Sequence, residues 1–115
     1  MPGQLPGAAE RGATRIADRV VSKIAAYAAY EALGGAPEGG SRPRASVHVR
    51  QETARVRVAV ELDYPTDVGA RCRAVRSRVA GRVRQLAGMA VPEVTVEVER
   101  LHSDDTRGTA GRRVA

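Results

Sequence analysis

The side chains in this chain that can do chemistry are few and stand far apart. Cys72 is the only cysteine and His48 and His102 are the only histidines, and no Cys-x-x-Cys or His-x-x-x-His spacing joins them into a metal-ligand set. Cys72 falls on an apolar helical stripe, where a thiol is expected to pack as a small hydrophobe rather than to attack as a nucleophile. The acid pairs Glu61/Asp63 and Glu97/Glu99 recur at a two-residue interval, which puts each pair on one side of a strand. Paired carboxylates suit acid–base work when a pocket or a histidine perturbs one of them, and the sequence sets neither beside these; solvated cross-strand ion pairs with Arg55 and Arg57 are expected instead. Gly34-Gly35 and Gly39-Gly40 lack the Lys-Ser/Thr of a phosphate loop and follow no strand, so they read as loop hinges. Six arginines, Arg71, Arg73, Arg76, Arg78, Arg82 and Arg84, share one segment with no acid between them. Their functional meaning would be phosphate binding; as ordinary structure they are the solvated flanks of a helix. These residues predict no catalytic site, no cofactor, no metal and no small-molecule substrate.

The elements that must position these groups are legible in the hydrophobic periods. A chain of 115 residues with 43% apolar content has the length and composition of one domain. The formal net charge is +6, yet every basic residue but Lys23 is arginine, a bias that a GC-rich genome produces and that weakens charge as an argument for nucleic acid. No apolar run follows a basic start and Cys72 has no intrachain partner, which predicts a reducing, cytoplasmic setting. Residues 1–10 and 102–115, rich in Gly, Pro and charge, read as disordered tails around a domain at 11–101.

Within that domain, Ile16, Ala17, Val20, Val21, Ile24, Ala25, Ala28 and Ala32 recur at three and four residues, predicting a helix over 14–33, capped by Thr14 and ended by Gly34-Gly35. The period then changes to two. Ala45, Val47 and Val49, followed by Val56, Val58, Val60 and Leu62, predict two strands joined as a hairpin. After Pro65-Thr66, the residues Val68, Cys72, Val75, Val79, Val83 and Leu86 predict a second helix to residue 87, closed by Gly88. Val94, Val96 and Val98 then predict a third strand. One valine face per strand and two amphipathic helices specify an α+β two-layer sandwich in the order α-β-β-α-β, with both helices on one face of a three-stranded sheet. The other face is left bare, and its His48, Arg50, Arg55, Arg57, Glu97 and Glu99 form the candidate protein-interaction surface.

The stretch Arg11-Gly12-Ala13-Thr14-Arg15-Ile16-Ala17-Asp18-Arg19-Val20-Val21-Ser22-Lys23-Ile24-Ala25, continued by Ala28-Ala29-Tyr30-Glu31-Ala32-Leu33-Gly34-Gly35, resembles the opening helix of the alkaline shock protein family of Gram-positive bacteria, also called envelope stress response proteins. Tyr64 to Gly69, the residues Val75, Val79, Val83, Leu86, Ala87 and Gly88, and Val91-Pro92-Glu93-Val94-Thr95-Val96-Glu97-Val98 are similar to its second helix and last strand. The resemblance spans residues 11–101. It implies a noncatalytic scaffold or adaptor, cytoplasmic but peripheral to the membrane through a membrane-anchored partner protein, capable of homo-oligomer formation and linked to cell-envelope homeostasis. The same element order also resembles a type II KH-like ribosome-associated domain. That alternative lacks the Gly-x-x-Gly clamp and the strand aromatics on which bases stack, so nucleic acid is not the expected partner.

Overall fold

The computed structural model describes the backbone of residues 8–103 and the side chains of residues 17–103. Its elements are α1 (Ala8–Leu33), β1 (Arg44–Arg50), β2 (Thr53–Tyr64), α2 (Val68–Ala87) and β3 (Ala90–Ser103), the expected α-β-β-α-β order. Local chemistry accounts for most of the boundaries. At the end of α1, Gly34 (φ 74°) and Gly35 (φ 118°) adopt the left-handed region, and their amides donate to the carbonyls of Glu31 and Tyr30. This is the paired closure that satisfies the last free carbonyls of a helix. At the start of α2 the Asp67 side chain accepts from the Ala70 amide at 3.0 Å, so the cap is Asp67 rather than Pro65-Thr66; at its end Gly88 (φ 67°) donates to Arg84.

The β1–β2 hairpin turns on two residues, Gln51 and Glu52, both at positive φ (48° and 62°), the conformation that matches the right-handed twist of the flanking strands. The sheet order is β1-β2-β3, with β1 antiparallel to β2 and β3 parallel to it through the α2 crossover. Central β2 therefore has neighbours on both sides, and its Val56, Val58, Val60 and Leu62 are all buried. Val47 and Val49 on β1 and Val94, Val96 and Val98 on β3 are only half-buried, because an edge strand is covered from one side. Val21, Ala25, Ala28, Ala29 and Leu33 of α1 and Val75, Val79 and Val83 of α2 complete the core. Both helices lie on the valine face, as the patterning requires.

The structure departs from the sequence reading at several places. α1 begins at Ala8, so Thr14 lies inside the helix rather than at its start; Ala8-Ala9-Glu10-Arg11 are strong helix formers and carry it back. Residues 8–10 are thus helical, while 1–7 and 104–115 of the two tails lie outside the described residues. β3 continues through His102 to Ser103 rather than ending in a tail at 102. Val20 is 50% exposed and Leu86 61% exposed, although both fall on the predicted apolar stripes. The sheet covers the arc of α1 centred on Val21 and Ala25, from which Val20 is turned by a third of a rotation; Leu86 lies in the last turn of α2, past the final buried valine.

Candidate functional site

The uncovered face of the sheet is built by alternation along three strands held in one register. His48 of β1 stands opposite Arg55 of β2, which stands opposite Glu93 of β3; Ser46, Arg57 and Thr95 form the next row, and Arg44, Ala59 and Glu97 the one after. Between them Ser46, His48, Arg55, Arg57, Glu93 and Thr95 line a shallow trough of about 430 Å³. The structure thus brings His48, Arg50, Arg55, Arg57, Glu97 and Glu99 onto one face. From the hairpin end to Ala59 its charges are sorted by strand, with arginines on β1 and β2 and carboxylates on β3; beyond Ala59 the order reverses, with Glu61 and Asp63 on β2 opposite Arg100 and His102 on β3.

The ion pairs are only partly those expected. Arg57 approaches Glu97 at 3.8 Å, but Glu99 is held by Arg44, whose Nη2 lies 2.7 and 2.9 Å from its two carboxylate oxygens. Arg44 reaches across the central strand because Ala59, the residue between, has no bulk to stop it. Arg55 makes no ion pair among the described residues, so its charge is available to a partner.

Sequence reasoning missed the best-protected polar pair. Val60 pairs with Val98, but Glu61 pairs with Arg100, so β3 carries an extra residue at Glu99. A slip of one residue exchanges the two faces of a strand. Arg100 and His102, which strict alternation from Val98 would send to the core side, turn instead to the open side, and Leu101 comes opposite Leu62. His102 Nε2 then lies 2.7 Å from Glu61 Oε1, with both side chains close to nine-tenths covered, and the Ser41 amide donates to the same oxygen at 3.1 Å. The His102 hydrogen bond first, and the Ser41 amide second, hold the Glu61 carboxyl below its ordinary range. Glu61 is therefore not a solvated acid without a histidine, as its spacing predicted. The signal was present as a three-residue step from Val98 to Leu101 where two was the rule. The pair pins the 34–43 loop across the end of the sheet, and the neighbouring cavity, between Pro37, Asp63 and Arg71, holds only about 60 Å³. That is room for a water or two, not for a substrate.

The remaining reactive groups are dispersed. His48 and His102 sit at opposite ends of the sheet, opposite Arg55 and Asp63 respectively. Among the described residues no three His, Cys, Asp or Glu side chains converge as metal ligands. Of the α2 arginines, Arg71 donates to the Leu33 carbonyl at 3.1 Å, and Arg78 and Arg82 converge on Glu31 at 3.2 and 3.4 Å. Arg73, Arg76 and Arg84 point to the other flank and are exposed. Cys72 is half-buried rather than fully buried, because it lies in the first turns of α2, ahead of Val75, where cover is incomplete. Cys72→Ala is expected to cost no more than about 1 kcal/mol in urea denaturation, at the low end of core truncations. Loss of partner capture with an unchanged melt would give the thiol a role beyond packing.

Compared with known proteins, the chain matches no family model, no curated protein and no solved structure. Among the described residues, no helix is long and apolar enough to cross a membrane.

Proposed function

We propose that the protein is a noncatalytic adaptor of the envelope stress response type, whose open sheet face docks onto a partner protein anchored in the membrane. The observation that carries this reading is the sorting of charge over the hairpin-side part of that face, up to Ala59, with Arg44, Arg50, Arg55 and Arg57 on two strands and Glu93, Glu97 and Glu99 on the third. A large exposed surface ordered by sign on a rigid sheet favours selection of a partner by complementary charge. The resemblance of residues 11–101 to alkaline shock proteins supplies the membrane-held partner. A face that is half cationic and half anionic is also complementary to itself about a two-fold axis, which provides for self-association.

The test is the double variant Arg55→Glu/Arg57→Glu. Exposed ion pairs are worth about 0–1 kcal/mol each, so the melting temperature is expected to stay within about 5 °C of wild type. Capture of the membrane partner is expected to fall and the diffuse fraction of the fluorescently tagged protein to rise. Localisation identical to wild type would remove the sheet face from the mechanism. The KH-like alternative places binding on Arg73, Arg76 and Arg84 and requires all capture to vanish on RNA digestion.

A further inference from the structure

The helix layer carries a second surface that the core does not use. Along the outer side of the α1–α2 pair run two adjoining hollows that share Arg82: one of about 320 Å³ walled by Ile24, Tyr27 and Leu86, the other, about 740 Å³ and shallower, floored by Ala32, Ala74 and Gly81. Tyr27 is 60% exposed and Leu86 61% exposed, a large apolar exposure side by side on two elements. The helices run antiparallel here, since Arg71 reaches Leu33 at the end of α1 while Leu86 lies beside Tyr27 and Lys23. From Ala74 to Leu86 the trough follows about 18 Å of α2, the length of three turns of a helix.

Gly81 is the independent observation. It stands in the middle of α2, where glycine weakens a helix, and its φ is not one that needs glycine. A Cβ built there meets nothing within 4 Å, so no contact among the described residues explains its absence. A missing side chain on an outward face allows another backbone to approach closely, and Ala74 and Ser77 on the same face are small as well. The rim is cationic: Lys23, Arg78 and Arg82 surround Glu31, the single carboxylate, which both arginines already share.

We propose that this seam is the groove for an amphipathic helix of the partner protein, with apolar residues on one side and carboxylates beside them. The inference rests on the adaptor reading and adds a second contact on the side of the molecule away from the sheet face. Apolar side chains of that helix fill the hollow at Tyr27 and Leu86, its backbone crosses Gly81, and its carboxylates meet Lys23 and Arg82. A second copy of this chain is the wrong occupant, because its own seam would set cations against cations. Residues 104–115 are also wrong, having Val114 as the only aliphatic side chain larger than alanine and three arginines.

The test places a photo-crosslinking amino acid at Ser77 of the full chain in its native cells, with a second probe at Thr95 on the sheet face. The crosslinked peptides are sequenced by mass spectrometry. The expected product at Ser77 is a partner segment with apolar residues at three- and four-residue spacing and acidic residues next to them. Its yield is expected to fall about tenfold in Lys23→Glu/Arg82→Glu and in Gly81→Leu, with a melting curve close to wild type for the charge variant and no lower than wild type for Gly81→Leu. Gly81→Ala is expected to melt higher and to keep most of the yield. Crosslinks at Ser77 to lipid, to RNA, to this chain alone or to nothing, while Thr95 captures a partner, would overturn the groove and leave the adaptor reading standing; no protein partner at either position would overturn both. Full capture by Gly81→Leu would also overturn it.

Discussion

Val58→Asp is expected to abolish folding at ordinary temperature. Val58 is fully buried at the middle of the central strand, between Ala45 of β1 and Val96 of β3, and no buried polar or charged residue is found in the described core. An aspartate there must either be buried charged with no cation to answer it or take up a proton and still lack hydrogen-bond partners. Either route costs on the order of 4 kcal/mol or more, against a total stability of roughly 5–15 kcal/mol for a small domain. Val58→Thr keeps the shape and adds one hydroxyl, for which a cost of about 1–3 kcal/mol is expected. Arg57→Asp, one residue away on the open face, is expected to stay near wild type, because the neighbouring side chain points to solvent. Circular dichroism melts of the three variants check the pleat directly: a lower melt for Arg57→Asp than for Val58→Asp would show that the two faces of β2 have been exchanged.

The second large effect lies at the loop end of the sheet. A Cβ on Gly40 would come 2.9 Å from Glu61 Oε1, 3.0 Å from His102 Nε2 and 3.2 Å from the Pro37 carbonyl. None of these can move cheaply, since Glu61 and His102 hold each other at 2.7 Å and the Gly40 amide itself donates to Pro37 at 2.8 Å. Gly40→Val is therefore expected to separate the pair and to cost about 1–3 kcal/mol as an overpacking change. Paired with Glu61→Ala the cost should be less than additive, because removing the carboxylate makes room. The same pair has a pH signature. Its hydrogen bonds from His102 and Ser41 hold the folded Glu61 carboxyl below its unfolded value, so its contribution is complete above the ordinary glutamate range of about 4.3 and is lost as pH falls through the folded value. Glu61→Gln should thus lower the urea midpoint at pH 7, by an amount that shrinks as the pH is taken down below the ordinary glutamate range. A change that stays the same over that descent would show that the charge of Glu61 contributes nothing.

What the sequence determined by itself is the local layer of this protein. Valines at two-residue spacing in three segments and aliphatic residues at three and four in two others are sufficient for the element order, for the common core and for the bare polar face, because each pattern leaves only one side of its element apolar. Gly34, Gly35 and Gly88 marked the helix ends for an equally local reason, their tolerance of positive φ. Tertiary structure decided what depends on partners distant in the chain. Nothing in the spacing of β2 and β3 says that they run parallel with β2 in the centre, since strand order is chosen by how the helices cover the sheet. The exposure of Val20 and Leu86 depends on where a neighbouring element stops. The extra residue at Glu99 is the sharpest case. Alternation is a rule about one strand, but which face a residue joins is set by pairing, and one unpaired residue in β3 carried His102 to the open face and to Glu61.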